Sequence, residues 1–148
     1  MDKTLAKLWP ENVVTKRAVN LSFESKNKLS FKLYDNTLYQ VLKSNKLEAY
    51  AYLSKGFGKI NEFDYMLVFN KDLTILKVRV LVYREGQGGE IGSTRWLKQF
   101  IGKSDTEKMK FGYDIQNISG ATLSARSLTE DAKKVIGKMK ELKQKGII

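Results

Sequence analysis

The clearest alternation in the chain runs from Leu73 to Tyr83, where Leu76, Val78, Val80 and Val82 fall on one side and Lys77 and Arg79 on the other. A period of two is that of a strand in a sheet covered on one face. Phe63 to Phe69 pairs with this strand across Asn70-Lys71-Asp72, and Leu38 to Leu42 pairs with Glu48 to Leu53 around Ser44-Asn45, so two hairpins are predicted. Beyond them the period changes. Leu128, Ala132, Val135, Ile136, Met139 and Leu142 recur at steps of three and four, the spacing of a helix with one buried face. Near the start, Lys3 to Trp9 reads as a short helix ended by Pro10, and Val19 to Phe23 as a short strand, while Glu24 to Leu33 suits either state. Hairpins followed by helices predict an α+β fold: an antiparallel sheet, a short helix after a Gly-rich turn, and a long C-terminal amphipathic helix. One domain is expected over residues 1–148, with 1–35 a helical or irregular lead-in and 36–148 the core.

Composition removes whole classes of chemistry. The chain has no cysteine and no histidine, which excludes disulfides, thiolate nucleophiles, Ser-His-Asp triads and nearly all zinc or haem ligation. The carboxylates form no pair at a telling spacing, and Glu130-Asp131 reads as part of a solvated, charged stretch. No catalytic residue and no metal ligand is therefore expected, and chemistry carried by an organic cofactor suits this inventory. Lys and Arg number 27 against 16 acidic residues, a net charge of +11. The densest run, Lys133, Lys134, Lys138, Lys140, Lys143 and Lys145, lies on the polar face of the last helix, so a basic, non-enzymatic binding module for nucleic acid or an anionic membrane surface is the alternative class. No motif for specific nucleic-acid recognition accompanies the charge. No apolar run approaches the roughly twenty residues of a membrane span, and Met1-Asp2-Lys3-Thr4 does not read as a signal peptide.

The candidate chemistry lies in two stretches. Ile118 to Ser124 places Ser119, Thr122, Ser124 and Gly120 at or just before the last helix, where unpaired N–H groups and the positive dipole end favour an anion. Plain capping is the competing reading, because Ser127 and Glu130 spell a Ser-x-x-Glu capping box. Ser119, Thr122, Ser124, Ser127 and Thr129 nevertheless supply more hydroxyls than one cap uses. Upstream, the turn Gly86 to Gly89 follows the longest strand, and Ser93 or Thr94 caps a short helix in which Trp96 and Phe100 read as core. Gly56-Phe57-Gly58-Lys59 reads as a plain turn, with a second wall for a ligand as the alternative.

Ser119-Gly120-Ala121-Thr122-x-Ser124 resembles the Ser/Thr-Gly-Ala-Thr-x-Ser/Thr motif of the FMN-binding domain family, which includes peripheral flavin subunits of the sodium-pumping NADH:quinone oxidoreductase and of the Rnf electron-transport complex. Tyr83 to Ile91, followed by Trp96-Leu97-Lys98-Gln99-Phe100-Ile101-Gly102-Lys103, is similar to the family's other characteristic stretch, in the same order and at about the same spacing. The resemblance implies an FMN-carrying electron carrier or redox subunit rather than a stand-alone enzyme. It implies Thr122 as the residue esterified to the FMN phosphate by a separate flavin transferase, with Ser119, Ser124 and the amides of Gly120, Ala121, Thr122 and Leu123 around that phosphate. Arg126, one helical turn on, can face it too. Gly88, Gly89 and Ile91, with Glu85 and Glu90, are the expected ring contacts. Two departures stand out: Gln116 occupies a position where an acidic residue is usual, which counts against recognition by the transferase, and Tyr83-Arg84-Glu85 replaces the Glu-Thr-Pro opening of the pump subunits. The second favours a separate carrier or accessory domain, working with redox partner proteins or a membrane electron-transport complex. An extracytoplasmic location, periplasmic or membrane-tethered, is the corresponding expectation, with the targeting segment outside this chain.

Overall fold

The computed structural model describes residues 1–148. Five strands, β1 (Val14–Ala18), β2 (Leu38–Lys43), β3 (Lys46–Phe57), β4 (Glu62–Asn70) and β5 (Ile75–Val82), form one antiparallel meander in sequence order. The helices are α1 (Asp2–Leu8), α2 (Phe23–Asn27), α3 (Thr94–Leu97) and the long α4 (Thr122–Gln144). This is the α+β arrangement expected from the pattern.

Both hairpins follow from their turns. Ser44 and Asn45 have φ of 50° and 66°, as a two-residue loop needs if its twist is to match the strands. At the β4–β5 turn Asn70 Oδ1 accepts from the N–H groups of Asp72 and Thr74 at 3.0 and 2.9 Å. The expected single alternation along β5 is corrected by two irregularities in the β4–β5 register, at Asp64/Tyr65 and at Val68/Phe69. Each adds a residue to β5, so only Val78 and Val80 keep the α4 side, while Leu76 packs on the opposite face and Val82 pairs with Asp64.

One face of the sheet packs against α4. Leu128, Ala132, Val135, Ile136, Met139 and Leu142 are all fully buried there against Leu38, Tyr52, Tyr65, Leu67 and Phe69. The other face is covered by α1, whose Leu5 closes over Val41, Ala49, Ala51, Met66 and Val68. Polar bonds fix α4 along β3: Ser127 Oγ accepts the Phe57 N–H at 2.7 Å, and Asp131 accepts from Ser54 Oγ at 2.6 Å and Tyr65 Oη at 2.5 Å. The far end of the helix is tied to the lead-in by Glu141, which accepts the Ser30 N–H at 2.7 Å.

Two local expectations fail. The lead-in strand is Val14–Ala18, and Phe23, 80% exposed, opens α2. β1 is an edge strand with its middle residues exposed, so it carries no alternation that could mark it. The Ser127–Glu130 capping box does not form either, because α4 begins at Thr122 and both residues lie inside it.

Candidate functional site: the cleft between the glycine turn and the start of α4

The two motif stretches meet because their backbones are tied together. Trp96 Nε1 donates to Gln116 O at 2.6 Å, and Gln116 N donates to Gln99 Oε1 at 2.8 Å. Trp96 and Phe100, 4% and 0% exposed, are core residues, as expected, and their rings meet edge to face at 5.3 Å. The segment that leads into α4 is thus held by the short helix that follows the glycine turn.

Between the turn and α4 lies a cleft of about 590 Å³, within the range of cofactor pockets. One wall is Gly120 to Ser124, a second is Tyr83 to Gly88, and the third is Lys59, Ile60 and Asn61 from the β3–β4 connection. The N-cap of α4 is Ala121, with no side chain bonded across the helix end, so the first amides are left without a capping acceptor. Thr122 is exposed beside them, its Oγ1 accepting from Asn117 Nδ2 at 3.0 Å.

Two glycines shape this cleft. Gly88 has φ of +81°, and a Cβ there would stand 2.5 Å from Tyr83 Oη, which donates to Gln87 O at 2.6 Å and so pins the turn. Gly120 has φ of +86°, with the Glu90 carboxylate 3.2 Å from its Cβ position. Each close approach keeps backbone bare where a ligand would come near it. The cleft walls carry Lys59, Arg84 and Glu85. Arg84 is engaged by Asp64 at 2.8 Å, and the bond from the guanidinium is the main reason that the Asp64 carboxyl is held below its ordinary range.

The profile of the FMN-binding domain family matches residues 58–137, more than half of the chain. The chain belongs to the FMN-binding domain family. FMN is accordingly its cofactor, and an uncapped helix N-terminus facing a glycine turn suits a phosphate joined to a flat ring system. The fold is shared by the crystal structure of NqrC from Shewanella oneidensis, with a TM-score of 0.62 and 18% sequence identity over 93% of this chain and 86% of that one. No curated protein sequence matches the chain.

In this FMN-binding domain the expected site residues divide by position. Glu85, Gly88, Gly120, Ala121, Thr122, Leu123 and Ser124 line the cleft together. Gly89 and Glu90 border an adjoining recess with Gly120, and Ser119 faces a separate cavity lined by Arg95, Lys98 and Asn117. Ile91 is fully buried, and the Arg126 guanidinium lies over the Phe111 ring at 5.3 Å, outside the lining residues. Of the surplus hydroxyls, Ser127 serves β3 and Thr129 Oγ1 donates back to Ala125 O at 2.7 Å, so neither reaches the cleft. Several lysines of α4 and its C-cap are engaged within the protein: Lys143 and the C-cap residue Lys145 bond the carbonyls of Lys71 and Lys28, and Lys138 lies over the Phe31 ring at 5.5 Å.

Sequence reasoning missed Tyr83, Ile60 and Asn61 as wall residues. The Gly56-Phe57-Gly58-Lys59 stretch was the available signal: Gly56 and Phe57 end β3 rather than forming a turn, and of the four only Lys59 lines the cleft.

Proposed function

We propose that this domain is an electron carrier in which FMN lies in the cleft and is joined to the Thr122 hydroxyl by a phosphoester. The observation that carries the reading is the convergence of an exposed threonine, an uncapped helix N-terminus and the Gly88 turn on one cleft. The amides at the start of α4 would hold the phosphate, Asn117 would orient the Thr122 oxygen, and the Gly88 turn would leave room for the ring. Bound FMN supplies one- and two-electron chemistry that no side chain here offers. Attachment needs a flavin transferase and FAD: Thr122 Oγ1 bonds to the riboflavin-side phosphorus, the bond to the adenylate breaks, the hydroxyl proton is lost and AMP leaves. The electron partners would be redox proteins or a membrane electron-transport complex outside the cytoplasm. That location rests on the family resemblance, and no helix of the protein is long and apolar enough to cross a membrane.

Intact mass after incubation with transferase and FAD tests the attachment. The wild type gains one FMN less water in mass, while Thr122→Val gains nothing and still takes up FMN reversibly. An equal covalent gain in Thr122→Val would refute the choice of hydroxyl.

A further inference from the structure

Glu85 lines the cleft but holds no part of the phosphate site. Its Oε1 accepts the Ile60 N–H at 3.2 Å and its Oε2 the Asn61 N–H at 3.3 Å. Gly58 leaves the space for it: a Cβ there would stand 1.9 Å from Glu85 Oε2 and 3.2 Å from Ser124 Oγ. The carboxylate is therefore lodged between the β3–β4 connection and the first turn of α4 instead of swinging into solvent. No cation neutralises it. Its neighbour Arg84 is turned to Asp64, with contacts of 2.8 and 3.3 Å, and Lys55 goes to the same Asp64 at 2.8 Å. Lys59 is the remaining cation of the cleft wall and forms no ion pair, and Glu90 lies across the loop against Gly120.

Two neutral amides fix Glu85 in place without cancelling its charge. A fixed charge on a cleft wall acts on whatever the cleft holds, and water screens it poorly when a ligand fills that cleft. Electron uptake puts negative charge on a flavin ring or draws a proton to it, and a carboxylate within roughly 10 Å opposes the charge. We propose that Glu85 lowers the reduction potential of the flavin bound in this cleft. The inference rests on the FMN reading of the site.

The test is a reductive titration of the FMN-loaded protein against a reference dye, with dithionite supplying two electrons per flavin and solvent the protons. Glu85→Gln removes the charge and keeps the shape, so at a fixed dye poise its ratio of reduced to oxidised flavin rises about tenfold, a shift of ~30 mV for a two-electron couple. Glu85→Asp keeps the charge and stays near the wild type. Circular dichroism melts confirm that both variants fold. An unchanged potential in Glu85→Gln overturns the proposal. So does an equal rise in Glu85→Asp, which would trace the shift to a loosened turn, or a folded Glu85→Gln protein that no longer retains FMN. A wild type that takes up no FMN at all refutes the reading of the cleft itself, and the proposal falls with it.

Discussion

Removing the Asp131 side chain should destabilise the protein far more than the loss of a surface carboxylate. Asp131 Oδ2 accepts from Tyr65 Oη at 2.5 Å and from Ser54 Oγ at 2.6 Å, and Tyr65 is wholly buried between the sheet and α4. In Asp131→Ala the buried Tyr65 hydroxyl loses its charged acceptor and keeps only the half-buried Ser54 hydroxyl beside it, a weaker partner that water also competes for, at a cost of about 1–3 kcal/mol. Loss of the bonds to a charged acceptor adds to this, and relief of the carboxylate's desolvation offsets part of it, leaving about 2–3 kcal/mol, or roughly 4–12 °C in Tm at this chain length. Tyr65→Phe removes the hydroxyl and leaves Asp131 its Ser54 partner, so it costs about 1–2 kcal/mol. The double variant has no orphaned hydroxyl and should be less destabilised than the sum of the two by about 1 kcal/mol or more. Urea unfolding of the four proteins, followed by circular dichroism, measures this coupling. If the two losses add within about 0.5 kcal/mol, Asp131 is a solvated residue and the reasoning fails.

The same cluster predicts alkaline sensitivity. Burial, with Asp131 adding to it, pushes the Tyr65 hydroxyl well above its ordinary range and Tyr52 up to about 12. Both tyrosines titrate higher folded than unfolded, so their contribution is complete below about pH 10 and is lost as pH rises through the folded values, by up to about 1.4 kcal/mol per pH unit for each. Urea unfolding above pH 10 should show that fall, with a shallower slope in Tyr65→Phe; equal slopes would refute it. The glycine turn offers a second contrast. Gly88→Ala places a Cβ at positive φ and 2.5 Å from Tyr83 Oη, so a loss of about 1–2 kcal/mol or more is expected in thermal melts. Gly89→Ala meets nothing within 4 Å and should change stability by less than about 0.5 kcal/mol, and equal melting of the two variants would refute the strain argument.

What the sequence shows of this fold is what local pattern can carry. The first hairpin was legible because Ser44 and Asn45 accept the positive φ their turn needs, and the second because Asn70 can bond its own turn, although Leu73, not a turn residue by type, takes the positive φ there. The helix α4 was legible because Leu128 to Leu142 repeat apolar residues at helical spacing. β1 was not legible, since an edge strand with an exposed middle has no face to mark, and the apolar Phe23 drew the expected strand five residues late. The swaps of Leu76 and Val82 depend on bulges in the pairing with β4, which the period along β5 does not encode. At the site, both walls carrying motifs were legible, whereas the third depends on where the β3–β4 connection falls across the sheet.

Asp131 is the instructive miss, because its signal was present. It lies three residues after Leu128 and four before Val135, on the buried side of α4, yet beside Glu130 it passed for part of a solvated charge pair. A carboxylate on an apolar stripe needs donors from the opposing surface, and Tyr65 and Ser54 lie together on the α4 face of the sheet because they are a cross-strand pair of β4 and β3. One turn earlier on α4, Ser127 takes the N–H of Phe57, the residue that precedes Gly58. These bonds set the height of α4 along β3, and so the distance between its uncapped N-terminus and the turn that carries Glu85. The geometry of the cleft is thus decided by a polar register inside the core as well as by the two motifs at its rim.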